Sequence, residues 1–397
     1  MKHCNILLFI VLAFTAGAQK VRPDAFPPVI DTLAPKVTLA STIEEMHSWD
    51  RYPTYPVYVA MMQQYADSFP ALCHLDTIGT SVQGRLLLSL VITGPSPAKA
   101  ARPEFFYSST MHGDEVTGFY LMLRLCDTLL RSYGTSPAIT RLLDNVCIYI
   151  NPNANPDGTY HSGDNTMSGA QRYNANDVDL TRNYPDPFGV AAMDPLQPEN
   201  EQMIDYVDGH HFLMGANLHG GSEVLNYPWD SRTSREQLNE HDAWWQQVCK
   251  RFIDTVRSID SQRYRDVAYR NGYIVGGDWY VISNGRQDYF NYYNGIREMT
   301  LEVSGTKMLP NSQLNHYWQA NAQALINYIA EVEALDTTHT GIVIPQPAPT
   351  LTAYPNPTRG PVTVDGPTGS YHFDLSGRPA GVYLLPVEGG AVKVVKL

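Results

Sequence analysis

Residues 105–120 read FFYSSTMHGDEVTGFY, an apolar strand pattern that passes through HGDE into a helical pattern. We predict a buried strand over Phe105–Ser108 and a helix over Val116–Tyr133, because apolar residues recur at helical spacing in the second segment. His112 and Glu115 stand at the corner between them. Two such side chains can turn towards one point and suit zinc, provided that a third ligand arrives from elsewhere. Alone the pair is a weak signal, since a capping carboxylate beside a surface histidine is then the better explanation.

Helical and strand patterns alternate from about Thr54 to Leu335. Further strands are predicted at Leu86–Ile92, Val146–Ile150, Leu213–Leu218 and around Met299–Val303. Further helices are predicted at Tyr58–Phe69, Glu201–Val207, Gln237–Ile259 and Gln313–Leu335. This alternation predicts an α/β fold with a mostly parallel or mixed central sheet and helices on both faces. Ligands of such sheets gather at the carboxyl ends of the strands.

His219 follows directly after one of these predicted strands and is itself followed by Gly220 and Gly221. A lone histidine at a strand end is more often structural than a ligand. Here the two glycines leave space for an open coordination position on a metal ion, and His219 is the candidate third ligand.

The composition changes after Leu335. Residues 336–350 are rich in Thr and Pro and are typical of an exposed linker. Short strand patterns broken by Gly and Pro follow, at Val362–Val364, Val382–Leu385 and Val392–Val395. Residues 351–397 are therefore predicted to form a small β module, too short to carry a catalytic site.

The 397 residues are 43% hydrophobic and 17% charged, the balance of a globular protein with a real core. The formal net charge is −12, and no basic run occurs. This argues against nucleic acid or an anionic membrane surface as a partner, because both bind clustered Lys and Arg. We expect a monomer.

The N-terminus has the pattern of an export signal. Lys2 and His3 precede the apolar run from Ile6 to Phe14, and Ala16-Gly17-Ala18 supplies an A-x-A cleavage site. The run is too short to span a bilayer, and no later segment reaches the roughly 20 apolar residues that a span needs. We expect residues 1–18 to be a removed signal peptide and the protein to be secreted or held at the cell surface.

Four cysteines remain after that signal, at Cys73, Cys126, Cys147 and Cys249. Their spacing shows neither a CxxC motif nor a tight disulfide framework. Disulfides and buried free thiols both stay open.

Eight segments resemble, in the same order, the zinc carboxypeptidases related to carboxypeptidases A and B, and above all their N/E (regulatory) branch. They are IGTSVQGR, MHGDE, NPNANPDG, RYNANDVDLTRNYP, LQPENEQ, ANLHGGSEVLNYPWD, GGDWYVISNGRQDYFNYYNG and TLEVSGTK, which together cover about residues 50–310. The resemblance implies a catalytic domain over residues 19–335 that hydrolyses the C-terminal peptide bond of peptides and proteins. It implies His112, Glu115 and His219 as ligands of one zinc ion, and Asp179 as the carboxylate that orients the His112 ring.

The same resemblance implies the catalytic and substrate-binding residues. Glu302, which taken alone is equally a solvated charge, would be the general base, and Arg172 would stabilise the oxyanion. Arg182 would bind the substrate's free carboxylate with two hydrogen bonds, and Tyr280 would close over the substrate. Thr181 stands where the family usually has Asn. Its hydroxyl reaches less far than an amide, so we expect weaker carboxylate binding and a raised KM.

Specificity follows from two further matching positions. Asp230 and Gln287 correspond to residues that shape the first side-chain pocket and favour C-terminal Lys or Arg. Arg286 is adjacent and would offset the charge of Asp230 if it pointed inward.

The end of the chain resembles the C-terminal sorting domain used in type IX secretion by some Gram-negative bacteria, on the segments YPNPTRGPVTV, DLSGRPAGVYLLPV and VKVVKL. The resemblance implies secretion machinery as a partner. A plain β appendage of a secreted hydrolase is the alternative.

Two other functions stay open beside an active carboxypeptidase. One is a related zinc hydrolase that acts on cell-wall peptides as an amidase or endopeptidase, which Thr181 favours slightly and Arg182 and Tyr280 oppose. The other is a non-catalytic surface binding protein, which the presence of the full set of ligands and of Glu302 opposes.

Overall fold

A computed structural model describes residues 37–95, 102–265, 271–336, 352–366, 369–387 and 390–397. The predicted signal peptide and residues 337–350 of the predicted linker lie outside them. Within the described ranges, every helix is too short or too polar to cross a bilayer. Cys73, Cys126, Cys147 and Cys249 are free thiols.

An eight-stranded mixed sheet forms the centre of the fold, in the order β3-β4-β6-β5-β7-β10-β8-β9. The strands of this sheet are β3 Cys73–Thr80, β4 Leu86–Ile92, β5 Glu104–Ser109, β6 Cys147–Asn151, β7 Phe212–His219, β8 Ser222–Tyr227, β9 Tyr273–Val275 and β10 Arg297–Ser304. The central strands β6, β5, β7 and β10 are mutually parallel, whereas β3–β4, β4–β6 and β10–β8 pair antiparallel. A small parallel pair, β1 Leu39–Ala40 and β2 Tyr52–Pro53, lies outside this sheet.

Helices cover both faces of the sheet. They are α1 Ile43–Met46, α2 Tyr55–Ser68, α3 Thr117–Ser132, α4 Pro137–Asn145, α5 Pro156–Thr159, α6 Pro198–Asp208, α7 Asp242–Ile259, α8 Gly276–Trp279, α9 Arg286–Tyr293 and α10 Asn311–Asp336, with a 3₁₀ turn at Leu180–Arg182. Proline at the first position of α4, α5 and α6 fits the start of a helix, where its missing N–H costs nothing.

Side chains alternate between two apolar cores along each central strand. Phe105 and Tyr107 of β5 enter the core shared with α2, α3, α7 and α10, whereas Phe106 enters the core shared with α6 and α9. The predicted α/β fold with a mixed sheet and helices on both faces is confirmed.

Several elements are absent from the sequence prediction, among them α9, β3, β8 and α4. The edge strand β3 lacks a continuous apolar run and buries only Cys73 and Ile78, β8 pairs antiparallel beside β10, and α4 is short. The predicted start of a helix at Gln237 is wrong, because Gln237 closes a turn on the carbonyl of Thr233 and α7 begins at Asp242.

The predicted small C-terminal β module is confirmed. Strands β11 Thr352–Tyr354, β12 Pro361–Gly366 and β13 Gly369–Asp374 form one antiparallel sheet, and β14 Gly381–Val387 pairs with β15 Gly390–Lys396. Their apolar side chains form a separate core that includes Val364, Leu385 and Val394.

Candidate metal centre and active site

The carboxyl ends of β5, β7 and β10 converge on one group of side chains. β5 ends at Ser109, and Thr110 adopts a φ of 60°, a conformation that a β-branched residue rarely takes. Its hydroxyl donates to the carbonyl of Glu115, which closes the turn that carries His112 and Glu115. Gly113 passes so near the backbone of α5 that a Cβ would lie 2.3 Å from the Gly158 carbonyl carbon. Only glycine fits there. The conformation of this corner is therefore fixed by the Thr110 hydrogen bond and by the close approach of Gly113 to α5.

Three ligand atoms meet at the corner. Glu115 Oε2 lies 2.9 Å from His112 Nδ1 and 2.9 Å from His219 Nδ1, and the two Nδ1 atoms are 3.0 Å apart. All three side chains are buried, with at most 5% of any residue exposed. Among the described residues they are the one group of His, Cys and acidic side chains placed to share a metal ion.

This donor set fits zinc. Two imidazole nitrogens and one carboxylate oxygen form the three-ligand arrangement of catalytic zinc sites, and neighbouring ligands of a tetrahedral zinc lie about 3.3 Å apart. The observed separations fall within half an ångström of that spacing. Burial lowers the pKa of His219 to about 4, so this ring is a neutral donor near pH 7.

The far nitrogen of His112 faces two acceptors. Thr181 Oγ1 lies 2.7 Å from His112 Nε2, and Asp179 Oδ1 lies 3.3 Å from the same atom. Arg172 donates two hydrogen bonds to Asp179 Oδ2, of 3.0 and 2.9 Å. Burial alone would raise the pKa of Asp179, but the Arg172 guanidinium outweighs it and holds that pKa well below its usual range. Asp179 is therefore a carboxylate, placed where the sequence predicts a partner for His112.

The far nitrogen of His219 also has a partner. Asn217 Oδ1 lies 2.5 Å from His219 Nε2, and the Asn217 amide donates to Glu298 and Thr300. The sequence analysis missed Asn217. The sequence does contain a signal for Asn217. Residues two apart on a strand face the same side, so Asn217 lies on the same face as His219.

Glu302 lies beside the candidate metal ligands, on the same face of the sheet. β10 pairs in parallel with β7 so that Glu302 stands opposite His219. Only 8% of Glu302 is exposed, and its Oε2 has no hydrogen-bond partner among the described residues. Burial and the negative charge of Glu115 raise the pKa of Glu302 well above its usual value. A buried carboxylate of this kind is suited to accepting a proton.

Two arginines and a tyrosine lie next to this centre. Arg172 Nη1 is 3.2 Å from His112 Nδ1 and 3.8 Å from Glu115 Oε1. Arg182 ends the 3₁₀ turn that begins after Asp179, and its Nε is 3.9 Å from Asp179 Oδ2. Tyr280 is 40% exposed, and burial of its hydroxyl together with the charge of Glu302 raises the pKa of Tyr280, which keeps the phenol protonated.

Asp230 and Gln287 are brought into contact in the interior. Gln287 donates from Nε2 to Asp230 Oδ1 at 2.8 Å, and both residues are at most 5% exposed. Gln287 Oε1 has no partner among the described residues. Burial, followed by the charges of Asp288 and Glu298, raises the pKa of Asp230 well above its usual value. Arg286 points away from Asp230 and pairs with Glu298.

Lys307 is a further charged neighbour that the sequence analysis left without a role. Its Nζ lies 2.9 Å from Asp114 Oδ2 and 3.4 Å from Glu115 Oε1. Lys307 thus forms an ion pair with Glu115 through Oε1, the oxygen that faces away from the two histidines.

Comparison with known proteins places this site in a family. Residues 58–324 match the family model described as zinc carboxypeptidase. The chain is 32% identical over 288 residues to carboxypeptidase D of Rattus norvegicus, which covers 70% of this chain and 21% of the relative. It is 34% identical over 288 residues to carboxypeptidase M of Mus musculus, which covers 69% of this chain and 64% of the relative. This chain therefore matches about a fifth of the length of carboxypeptidase D.

Solved structures share the fold. Thrombin-activatable fibrinolysis inhibitor superimposes with a TM-score of 0.64 at 17% identity, over 74% of this chain and 77% of that chain. Carboxypeptidase A from Helicoverpa armigera superimposes with a TM-score of 0.61 at 19% identity, over 73% of this chain and 75% of that chain. Family model, relatives and buried donor set agree that this chain belongs to the zinc carboxypeptidase family, whose cofactor is zinc.

Proposed function

We propose that this protein is a metallocarboxypeptidase that removes single residues, with a preference for Lys and Arg, from the C-terminal ends of peptides. The observation that carries the proposal is the convergence of His112, Glu115 and His219 beside Glu302, whose free oxygen is buried on the same face of the sheet. A binding protein without catalysis needs no such buried, unpartnered carboxylate.

His112, Glu115 and His219 would hold the zinc ion. When bound, zinc supplies a Lewis acid that polarises a carbonyl and makes a nearby water more acidic. Glu302 accepts the proton of the attacking water and returns it to the leaving amine. Its raised pKa favours the first transfer, since a stronger base takes the proton more readily.

Arg172 donates to the negative oxygen that develops as the carbonyl is attacked. Its double hydrogen bond to Asp179 fixes the guanidinium before substrate arrives, so no reorganisation is needed during the reaction. Arg182 binds the substrate's terminal carboxylate, and exposed Tyr280 closes over the bound residue. Thr181 adds at most one hydrogen bond there, since its hydroxyl also contacts His112.

The basic preference is supported by a buried acid, Asp230, that accepts from an amide rather than from a cation. Asp230 is buried and touches Gln287, while the neighbouring cation of Arg286 is taken by Glu298. An ammonium or guanidinium from the substrate would supply the missing charge to Asp230 and a donor to Gln287 Oε1. An apolar side chain would leave Gln287 Oε1 without a donor and Asp230 without a cation.

We also propose that the protein is exported through a signal peptide over residues 1–18 and that the β module acts as a sorting tail. The support is the pattern at both ends of the sequence. Expression of the full chain, and of a chain that ends at residue 336, in a bacterium with type IX secretion tests this. Equal surface delivery of both chains would contradict the sorting role.

Hydrolysis of blocked dipeptides that end in Arg, Lys, Phe, D-Ala or an amidated Arg tests the activity. We expect Arg and Lys to be released fastest, and activity to disappear with a chelator and return with zinc. Glu302→Gln should lower kcat by about 10²- to 10⁴-fold, whereas exposed Glu240→Gln should leave it unchanged. Equal cleavage of the amidated substrate would contradict exopeptidase action and favour an amidase or endopeptidase instead.

A further inference from the structure

The contact between Thr181 and His112 gives Thr181 a role other than substrate binding. Thr181 Oγ1 is 2.7 Å from His112 Nε2, closer than the 3.3 Å of Asp179 Oδ1. We propose that Thr181 is a positioning residue of the metal centre, whose hydroxyl accepts the Nε2–H of His112 and fixes that ring for zinc. The proposal deepens the proposed function and rests on the zinc ligands named there.

The direction of this hydrogen bond follows from the other side of the ring. His112 Nδ1 faces Glu115 Oε2 and His219 Nδ1, so it must be free of hydrogen to serve as a ligand. The one hydrogen of the neutral ring is then on Nε2. The nearest acceptor for it is the Thr181 hydroxyl.

Asp179 is already engaged by other donors. Arg172 occupies its Oδ2 with two hydrogen bonds, and the backbone N–H of Thr181 donates to Oδ1 at 3.1 Å. Asp179 Oδ1, the oxygen left to face His112, is also the more distant acceptor, at 3.3 Å against 2.7 Å for Thr181 Oγ1. The closer hydroxyl supplies the acceptor that the ring requires.

The local backbone holds the hydroxyl in place. Thr181 is the middle residue of the 3₁₀ turn Leu180–Arg182, which Asp179 caps through the Thr181 N–H. Its branched side chain has restricted rotation about the first bond, so little freedom is lost when Oγ1 faces the imidazole. Thr181 and Asp179 therefore contact His112 Nε2 from the same 3₁₀ turn and its cap.

The test is the zinc affinity of the full chain, measured by competition with a chromophoric chelator. Thr181→Val keeps the shape of the side chain and removes the hydroxyl, whereas Thr181→Ser keeps the hydroxyl. We expect Thr181→Val to weaken zinc binding by about tenfold, the low end of the effect of removing an outer partner of a metal ligand. Thr181→Ser should stay within about threefold of the unchanged protein.

Three controls make the result specific. Thr255→Val removes a hydroxyl on α7 that donates only to the Arg251 carbonyl, and should leave zinc affinity unchanged. Thermal unfolding of each metal-free variant shows whether it is folded. His112→Ala should abolish tight binding.

Equal zinc affinity of Thr181→Val and the unchanged protein would overturn the inference. Equal weakening in the Val and Ser variants would also overturn it, because the hydroxyl would then not be the cause. The comparison uses no substrate. Failure of the proposed peptidase activity would therefore show in the hydrolysis assay alone.

Discussion

Arg286 and Glu298 form an ion pair with two hydrogen bonds, of 2.8 and 2.9 Å, in which each side chain is only 1% exposed. Arg286 also donates to Ser108 Oγ, so the pair ties α9 to β5 and β10. Glu298 in turn accepts from Asn217, the partner of His219. One buried pair thus links the helix that carries Gln287 to the strand that carries His219, a candidate metal ligand.

Removing one member of this pair should destabilise the protein strongly. Arg286→Met leaves Glu298 buried without its cation, and we expect the free energy of unfolding to fall by about 3–5 kcal/mol. Chemical denaturation monitored by tryptophan fluorescence measures this. Arg251→Met, which removes the exposed partner of Glu331, is the matched control and should cost at most about 1 kcal/mol. A loss of that small size in Arg286→Met would show that the pair contributes little.

The sequence could predict the ligands but not this pairing. Local apolar patterns predict the strands and the α/β alternation predicts where their carboxyl ends meet, whereas the set of His112, Glu115 and His219 is implied by the family resemblance. Asp230 and Glu298 are both carboxylates with which Arg286 could pair. The packed position of α9 brings Arg286 to Glu298. The Thr181 hydroxyl likewise faces His112 because of a 3₁₀ turn, which no periodicity in the sequence indicates.

Release of a C-terminal basic residue should depend on pH through Asp230. Burial and its acidic neighbours raise the pKa of Asp230, so the carboxyl is neutral at low pH and gains its charge only as pH rises through that raised value. A basic side chain binds best to the charged form. The ratio of kcat/KM for Arg over Phe substrates should therefore increase with pH.

The Asp230→Asn variant isolates this effect. We expect the Arg/Phe ratio to fall by at least about tenfold and to become independent of pH, since a hydrogen bond to a charged group contributes about 1.5–3 kcal/mol. Zinc affinity should not change, because Asp230 lies outside the ligand set. A pH-dependent ratio that persists in Asp230→Asn would assign the titration to another group.

Asn217 should matter for metal binding through His219. Asn217→Ala removes the acceptor 2.5 Å from His219 Nε2, and we expect zinc affinity to fall by about tenfold. Asn327→Ala on α10 is the control on a remote helix. Unchanged affinity in Asn217→Ala would mean that the ring keeps its orientation through packing alone.

The C-terminal module should support the loop that follows Arg182. The Leu196 N–H donates to the Val382 carbonyl at 2.7 Å, and a cavity of about 80 Å³ lies between module and loop. Gly381, with a φ of 156°, approaches Pro195 so closely that a Cβ would lie 2.5 Å from the proline Cβ. Gly381→Ala should therefore separate the two surfaces and speed hydrogen exchange at the Leu196 amide.

Gly369→Ala is the matched control for this change. Gly369 also has a positive φ, of 139°, but a Cβ there would meet nothing within 4 Å. Both variants carry a backbone penalty for the added Cβ, and only Gly381→Ala adds the clash with Pro195. Exchange at Leu196 should therefore rise in Gly381→Ala alone, and an equal rise in both variants would indicate loosening of the module itself. If KM rises together with exchange at Leu196, the module also supports the position of Arg182, the residue proposed to bind the substrate's carboxylate.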